Sequence, residues 1–253
     1  MKFYDLPKQE RIKIVNRINR EIALDLSGNT SSNILSYFSD GDTYIRKTAY
    51  QAVGKQYKLH EELRPHTIKI LEKLLTSGEE KIRQTTINAA GEIGKTDFEI
   101  VRHFFDTGLS DLHHSVRNAV IGSIKKMGEK TPIPVLKWAA QYLRHSDKEI
   151  RREICHGLEL RGRTHPQDIL PMLKQLQYDK TARVRNTLIH VLGQISYKKG
   201  CLETVVKALN TWENKDLVRK ALYEIADVHD RYKNFAALTQ EQAIAYINEH
   251  YKK

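Results

Sequence analysis

Two columns of polar side chains are the residues best suited to bind a charged ligand. They lie one and five positions after an arginine that recurs along the chain, so within each helix they share a face. The first column reads Lys47, Gln84, Asn118, Arg152, Asn186 and Lys220, and the second reads Gln51, Asn88, Gly122, His156, His190 and Glu224. Amides and cationic groups donate hydrogen bonds to phosphate oxygens. A phosphate-binding groove and an ordinary polar surface are both compatible with this pattern.

Positive charge is concentrated in one part of the chain. The formal net charge is +11, and residues 144–199 contain 12 Lys and Arg against 6 Asp and Glu. The densest basic cluster is Arg161-Gly162-Arg163-Thr164-His165. A basic surface attracts phosphate polymers, and its binding weakens steeply with salt. We therefore predict that the partner is duplex or branched DNA, with an acidic protein or peptide as the alternative. The predicted DNA contacts are Lys47, Asn118, Arg152, Arg161, Arg163, Arg183, Asn186, Lys198, Lys199 and Lys220.

Signs of catalysis or metal binding are sparse. His156 and Glu159 lie three residues apart, as do Glu224 and Asp227, but such pairs are common by chance. The adjacent His113 and His114 have no third ligand at helical spacing, so no metal site is predicted. No phosphate-binding glycine motif occurs, and no cofactor is predicted. These observations favour a binding protein over an enzyme and leave the catalytic residues unassigned.

The recurring arginine reveals an internal repeat. Each copy is preceded by an apolar residue, and an acidic residue lies three to six positions upstream. From Arg83 onward the spacing is 34 residues, and Gly94, Gly128 and Gly162 keep the same interval. We predict a structural role for these arginines, pairing with the acid of their own or a neighbouring repeat. They are Arg46, Arg83, Arg117, Arg151, Arg185 and Arg219.

Each repeat is predicted to form two helices. Val184, Leu188, Val191, Leu192 and Ile195 lie on one face of a second helix. Five segments fit the capping box that starts a helix, namely Ser77–Glu80, Thr96–Glu99, Ser146–Glu149, Thr164–Gln167 and Thr239–Gln242. The acid followed by Val/Ile-Arg resembles the HEAT pattern, and the Trp and Pro signals of tetratricopeptide repeats do not recur.

This pattern predicts an all-α superhelix, an armadillo-like solenoid of about six HEAT-like repeats with capping helices. We expect residues 1–253 to form one domain, with an N-terminal cap over 1–38, repeats over 39–230 and a C-terminal cap helix over 231–253. The apolar runs are too short to span a membrane, so no membrane partner is predicted. Residues 1–7 lack the features of a secretory signal, and only two cysteines occur, Cys155 and Cys201. Both observations predict a cytoplasmic protein.

A second resemblance covers residues 164–212. The segments Thr164–Leu173, Val184-Arg185-Asn186, Leu192–Ser196 and Leu209–Trp212 resemble the DNA alkylation repair proteins, which are HEAT-like repeat glycosylases of the AlkC and AlkD kind. The resemblance implies a basic concave surface that grips the backbone of duplex DNA. In that family a carboxylate and aromatic side chains promote loss of an alkylated base. The only tryptophans here are Trp138 and Trp212, and neither has an aspartate in helical register. The prediction is therefore a DNA-binding relative, with an active glycosylase as an alternative.

Overall fold

The computed structural model describes residues 2–28 and 30–252, which form helices and connecting turns without any β-strand. The chain divides into two compact units, Met1–Thr131 and Pro132–Lys253. The helices of the first unit are α1 (Lys8–Gly28), α2 (Ser32–Ser39), α3 (Thr43–Leu59), α4 (Arg64–Leu75), α5 (Glu80–Ile93), α6 (Phe98–Leu109) and α7 (His114–Lys130). Those of the second unit are α8 (Pro132–Tyr142), α9 (Lys148–Gly157), α10 (Glu159–Gly162), α11 (Pro166–Lys174), α12 (Ala182–Gln194), α13 (Cys201–Leu209), α14 (Lys215–Arg231) and α15 (Gln240–His250).

The helices alternate between two layers within each unit. In the first unit, the second helices of the repeats, α3, α5 and α7, pack side by side, and α4 and α6 form the other layer. In the second unit, α9, α12 and α14 form the layer of second helices, and α11, α13 and α15 form the layer of first helices. Counting α2/α3 through α13/α14, with α10 as a short extension of α9, the described residues contain six helix pairs. The predicted all-α solenoid of about six repeats is confirmed.

Apolar residues at helical spacing form the core between the layers. Val184, Leu188, Val191, Leu192 and Ile195 of the α12 segment are all completely buried, as their spacing predicts. The periodic glycines mark points of close helix contact. A Cβ atom at Gly162 would collide with the side chains of Ile169 and Ile195, and one at Gly94 would collide with Met127. At Gly94 and Gly162, two intervals apart, the periodic glycine therefore marks close packing at equivalent places in their repeats.

The recurring arginines hold the turns between the two helices of a repeat. Five of the six donate from Nη1 to the carbonyl oxygen six residues upstream, and these are Arg46, Arg83, Arg117, Arg151 and Arg185. Arg83 also forms a two-bond ion pair with Asp111 of the next repeat, at 2.7 and 3.0 Å. Arg151 forms the same pair with Asp179, at 2.6 and 3.0 Å. Each of these two arginines therefore ties its own turn to the following one.

In the last repeat, a glutamine of the preceding repeat holds the turn in place of the recurring arginine. Arg219 is exposed and lies 3.4 Å from Asp216. The turn before α14 is held instead by Gln177, whose side-chain oxygen accepts from the N–H groups of Glu213 and Asn214. The Gln177 carbonyl also accepts from the Asn214 side chain at 2.6 Å. The turn is fixed by the preceding repeat, so Arg219 remains on the surface.

Helix starts differ in detail from the predicted capping boxes. Only Thr239 forms the reciprocal pair of bonds, with Gln242. At α9 the cap is Asp147, one residue after the predicted serine, and it accepts from the Glu149 N–H at 2.8 Å. The capping-box pattern located these turns correctly but placed four of the five caps one or two residues early, because a nearby polar residue can precede the true cap.

A buried carboxylate links the first two helices. Within the N-terminal cap the sequence predicts a helix over Leu6–Leu24 and a polar break over Ser27–Ser32, and the helix is found as α1, which extends to Gly28. Asp25 near its end is 2% exposed and accepts hydrogen bonds from the Thr30 hydroxyl, the Asn33 amide and the Ile34 N–H, each at 2.9 Å. Part of the predicted break, Asn29, lies outside the described residues. Among the described helices, none combines the length and apolar character needed to cross a membrane.

Candidate nucleic-acid interface

A polar cleft lies between the second helices α9 and α12 of the second unit. It has a volume of about 410 Å³, and its lining residues are Arg152, His156, Arg183, Asn186, Thr187 and His190. Because α9 and α12 begin one repeat apart, residues separated by 34 positions stand side by side. Arg152 therefore faces Asn186, and His156 faces His190, whose ring centroids are 6.1 Å apart. The structure thus brings four members of the two polar columns to one site.

Glu149 partly neutralises the mouth of the cleft. Its Oε2 atom is 2.9 Å from Arg152 Nε, and its Oε1 atom is 3.1 Å from Arg183 Nη1. Arg152 is only 17% exposed and also lies 3.5 Å from Glu153. The Arg183 side chain is 66% exposed. The guanidinium group of Arg183 is therefore accessible to solvent, whereas that of Arg152 is mostly buried beside Glu149 and Glu153.

A histidine–glutamate cluster forms the inner end of the cleft. His156 Nε2 lies 3.1 Å from Oε2 of the buried Glu159. The other oxygen of Glu159 accepts from Arg163, which also donates to Gln194 Oε1 at 2.6 Å. One ligand atom each of His156, Glu159 and His190 lies within 4.8 Å of the others. Burial lowers the pKa of His190, outweighing the opposite effect of Glu159 and Glu224.

Acidic side chains follow on α14. Glu224 Oε1 lies 3.7 Å from His190 Nδ1. Glu224 and Asp227 both pair with Arg231, so the pair of carboxylates noted in the sequence serves an ion-pair network. Lys220, at the beginning of the same helix, is exposed. The exposed face of the second helices in this unit is therefore basic at α9, α12 and the start of α14, and acidic further along α14.

Three predicted contacts in the second unit are engaged internally. Arg161 forms an ion pair with Asp168, with Nε at 2.8 Å, and its side chain is 15% exposed. Arg163 is held by Glu159 and Gln194 as described above. Lys198 donates to the Phe235 carbonyl at 3.2 Å and stands over the Tyr197 ring at 4.9 Å. The arginines of the densest basic cluster in the sequence are therefore engaged internally, because Arg161 pairs with Asp168 on α11 and Arg163 pairs with Glu159 at the start of α10.

The remaining predicted contacts are exposed but not all in one place. Asn186 lines the cleft, and Lys199 lies in the turn before α13. Lys47 on α3 and Asn118 on α7 are exposed in the first unit. Each of these four side chains is exposed to solvent.

The aromatic residues that a glycosylase site would need are buried. Trp138 and Trp212 are 3% and 2% exposed, so neither indole reaches the cleft. Cys155, next to His156 in sequence, is completely buried, and burial raises the pKa of its thiol. The cleft is lined by guanidinium, amide, hydroxyl and imidazole groups, and its lining residues include no tryptophan or tyrosine on which a nucleobase could stack and no cysteine nucleophile.

The sequence does not present the three-residue cluster as a unit. His156 and Glu159 stand out there as a pair three residues apart, and His190 belongs to a polar column. The signal that could have joined them is the repeat itself, since His156 and His190 are 34 residues apart. Equal positions in successive second helices become neighbours, so two imidazoles at one repeat interval predict a histidine pair.

Comparison with known proteins supports the fold. No family model matches the chain, and no curated protein matches it. Among solved structures, AlkD2 from Streptococcus mutans is similar with a TM-score of 0.56 and 17% identity, over 81% of this chain and 97% of that one. The protein smu.31 from Streptococcus mutans UA159 matches with a TM-score of 0.55, 17% identity and the same coverage. A chain of the Pds5–Scc1 complex matches with a TM-score of 0.50 and 17% identity, over 93% of this chain and 37% of that one. The predicted resemblance to AlkD-type helical repeats is confirmed at the level of the fold.

Proposed function

We propose that this chain binds DNA through backbone phosphates, using the exposed face of α9, α12 and the start of α14. The observation that carries the proposal is the cleft, in which guanidinium, amide and imidazole groups from two adjacent helices face solvent together. These are the donors that proteins direct at phosphate oxygens. The AlkD-type fold and the sequence resemblance to alkylation repair proteins support the same class of partner.

Charge pairing explains why this face, rather than the denser basic loop, is the proposed interface. Five of the six acidic residues in 144–199 are bound to arginines within the same segment, and these are Glu149, Glu153, Glu159, Asp168 and Asp179. The basic side chains that keep high exposure are the ones able to meet a phosphate. On the second helices these include Arg183 and Lys220, with Arg219 beside them at 67% exposure.

We propose that the chain binds DNA as a scaffold at or near damaged sites and does not itself excise a base. Burial of Trp138 and Trp212 supports this choice, because neither can stack on a damaged base. We place the activity in the cytoplasm, since both cysteines are free buried thiols, as expected of a protein in a reducing compartment.

The decisive experiment is a salt series with fluorescent duplex and branched DNA. Each phosphate contact contributes about 0.9 to the slope of log K against log salt. The double variant Arg183→Gln/Lys220→Gln should lower the magnitude of the slope by roughly 1.8 and weaken binding of any sequence alike. Lys207→Gln is the control for loss of a single exposed charge outside the proposed interface, because Lys207 lies on the first helix α13, and its slope should stay unchanged. An unchanged slope in the double variant would refute the proposed interface.

A gain-of-function variant provides a second test. Glu149→Gln removes the acid that occupies both Arg152 and Arg183, while a glutamine of nearly the same size fills its place. DNA affinity should rise several-fold at low salt, and the slope should steepen by roughly 1 for each arginine released. If polyglutamate competes as well as DNA does, the partner is an acidic protein instead.

A further inference from the structure

Three side chains at the inner end of the cleft are spaced like metal ligands. His156 ends α9, Glu159 begins α10, and His190 comes from the next second helix, α12. Tetrahedral zinc with bonds of about 2.0–2.1 Å places its ligand atoms about 3.4 Å apart. The 3.1 Å between His156 Nε2 and Glu159 Oε2 is already close to that value. No separation within the cluster exceeds 4.8 Å, so rotamer changes of about 1.4 Å would complete the site.

We propose that His156, Glu159 and His190 bind a divalent transition metal ion of the zinc class, with an open coordination position facing the cleft. Imidazole nitrogens and a carboxylate oxygen are ligands that suit zinc and its neighbours in the first transition row. Three protein ligands with one open position are typical of zinc sites that also bind water or a ligand oxygen. His156 and His190 line the same cleft as Arg183 and Asn186, so a phosphate oxygen or a water molecule that enters the cleft could reach the open position.

The residues around the cluster act as an outer shell. Arg163 occupies Oε1 of Glu159, and Gln194 holds Arg163 in turn, so Oε2 is the oxygen directed at His156. Glu224 lies 3.7 Å from His190 Nδ1. A carboxylate at the second nitrogen of a ligating histidine orients the ring and raises its basicity. The Arg163 bond therefore directs Oε2 of Glu159 toward the site, and Glu224 is near enough to His190 to become its hydrogen-bond partner after a small shift.

The local charge balance favours a cation. Glu159, Glu224 and Asp227 carry three negative charges, and their partners Arg163 and Arg231 carry two positive charges. The cluster and its ion pairs therefore have a net charge of −1 when both histidines are neutral.

The metal site stands independently of the DNA proposal, although the two share the cleft. Its test uses the metal alone. The chelator-treated full-length chain is titrated with Co²⁺ and Zn²⁺, and Co²⁺ absorption in the visible range reports four-coordinate geometry. We expect one equivalent of Co²⁺ to bind and one equivalent of Zn²⁺ to displace it.

Matched variants locate the site. Glu224→Gln removes an outer-shell partner and should weaken Zn²⁺ binding about 10–100-fold. His190→Gln removes a ligand and should weaken Zn²⁺ binding by more than that. His165→Gln is the control, since this exposed histidine precedes α11 and lies outside the cluster. Because the His190 side chain is 43% exposed, its replacement leaves the fold intact, and circular dichroism verifies this. Binding by His190→Gln equal to that of the unaltered chain, or absence of a stoichiometric Co²⁺ spectrum, would overturn the proposal.

Discussion

Replacement of Asp179 by asparagine should destabilise the second unit far more than its position in a turn suggests. Asp179 and Arg151 are 6% and 14% exposed, and two hydrogen bonds join them at 2.6 and 3.0 Å. Removing one partner of a buried pair costs about 3–5 kcal/mol, because the other charge is left without compensation. Asparagine can keep the bond from the Thr181 N–H, and Arg151 keeps its bonds to the carbonyls of His145 and Ser146. We therefore expect the lower end of that range, about 3 kcal/mol.

The free energy of unfolding is measured by urea titration, with Asp216→Asn as the matched control. Asp216 forms a similar pair with Arg219, but the two side chains are 84% and 67% exposed. Exposed pairs contribute about 0–1 kcal/mol, so the control should change little. A double-mutant cycle with Arg151→Met isolates the pair and should give a coupling energy of about 1–3 kcal/mol. Equal losses for the two aspartates, or a coupling energy near zero, would refute the structural role assigned to the repeat arginine.

Three further predictions concern stability and reactivity. Burial raises the pKa of Asp111 and Asp179, but hydrogen bonds from arginines and backbone N–H groups outweigh it and lower both values. Their stabilising effect is therefore complete above about pH 5 and is lost as pH falls through the lowered pKa values. In an acid titration, the free energy of unfolding of Asp179→Asn should fall less than that of the unaltered chain. Gly162→Ala should destabilise by roughly 1–3 kcal/mol through overpacking, whereas Gly122→Ala, with open space at its Cβ, should stabilise by up to about 1 kcal/mol in thermal melts. Cys155 should resist iodoacetamide at pH 8 in the folded chain and react only in denaturant, since burial raises the pKa of its thiol.

The fold was predictable because one local pattern recurs. The 34-residue spacing identified the helix pairs, and the apolar positions of α12 identified its buried face. The 37-residue step from Arg46 to Arg83 contains a 3₁₀ turn at Glu61–Leu63, which is absent from the 34-residue steps. Exact helix starts were less predictable, because several polar residues near one turn compete for the cap and the pattern alone does not distinguish them.

The candidate site was only partly predictable, because the sequence shows how many charged residues a segment has but not which of them form ion pairs. The polar columns placed Arg152, His156, Asn186 and His190 on a common face, and they line one cleft. The sequence overstates the positive charge that the basic loop presents to a partner, since Arg161 is paired with Asp168, seven residues away. Pairing across turns depends on tertiary packing, and no helical spacing rule reports it.

Tyrosine gives a further example of this limit. Tyr50 lies four residues after the repeat arginine Arg46 and is buried, at 9% exposed. Tyr223 has the equivalent place, four residues after Arg219, but is 72% exposed on α14, in the last repeat. A repeat position is buried only if the neighbouring repeat supplies a surface to cover it, and terminal repeats lack that surface on one side.

The periodic scaffold separates the residues that hold the fold from those proposed to contact DNA. In five of the six second helices the recurring arginine bonds to the preceding turn, and in α9 and α12 the residues one and five positions later line the cleft, so one repeat interval supports both roles. The outward columns nevertheless change along the chain, from His190 on α12 to Glu224 on α14. A polyanion following these columns in the second unit meets donors at α9 and α12 and then carboxylates that already engage Arg231. Phosphate contacts should therefore concentrate around Arg183, and the change of sign at Glu224 limits how far along α14 they extend.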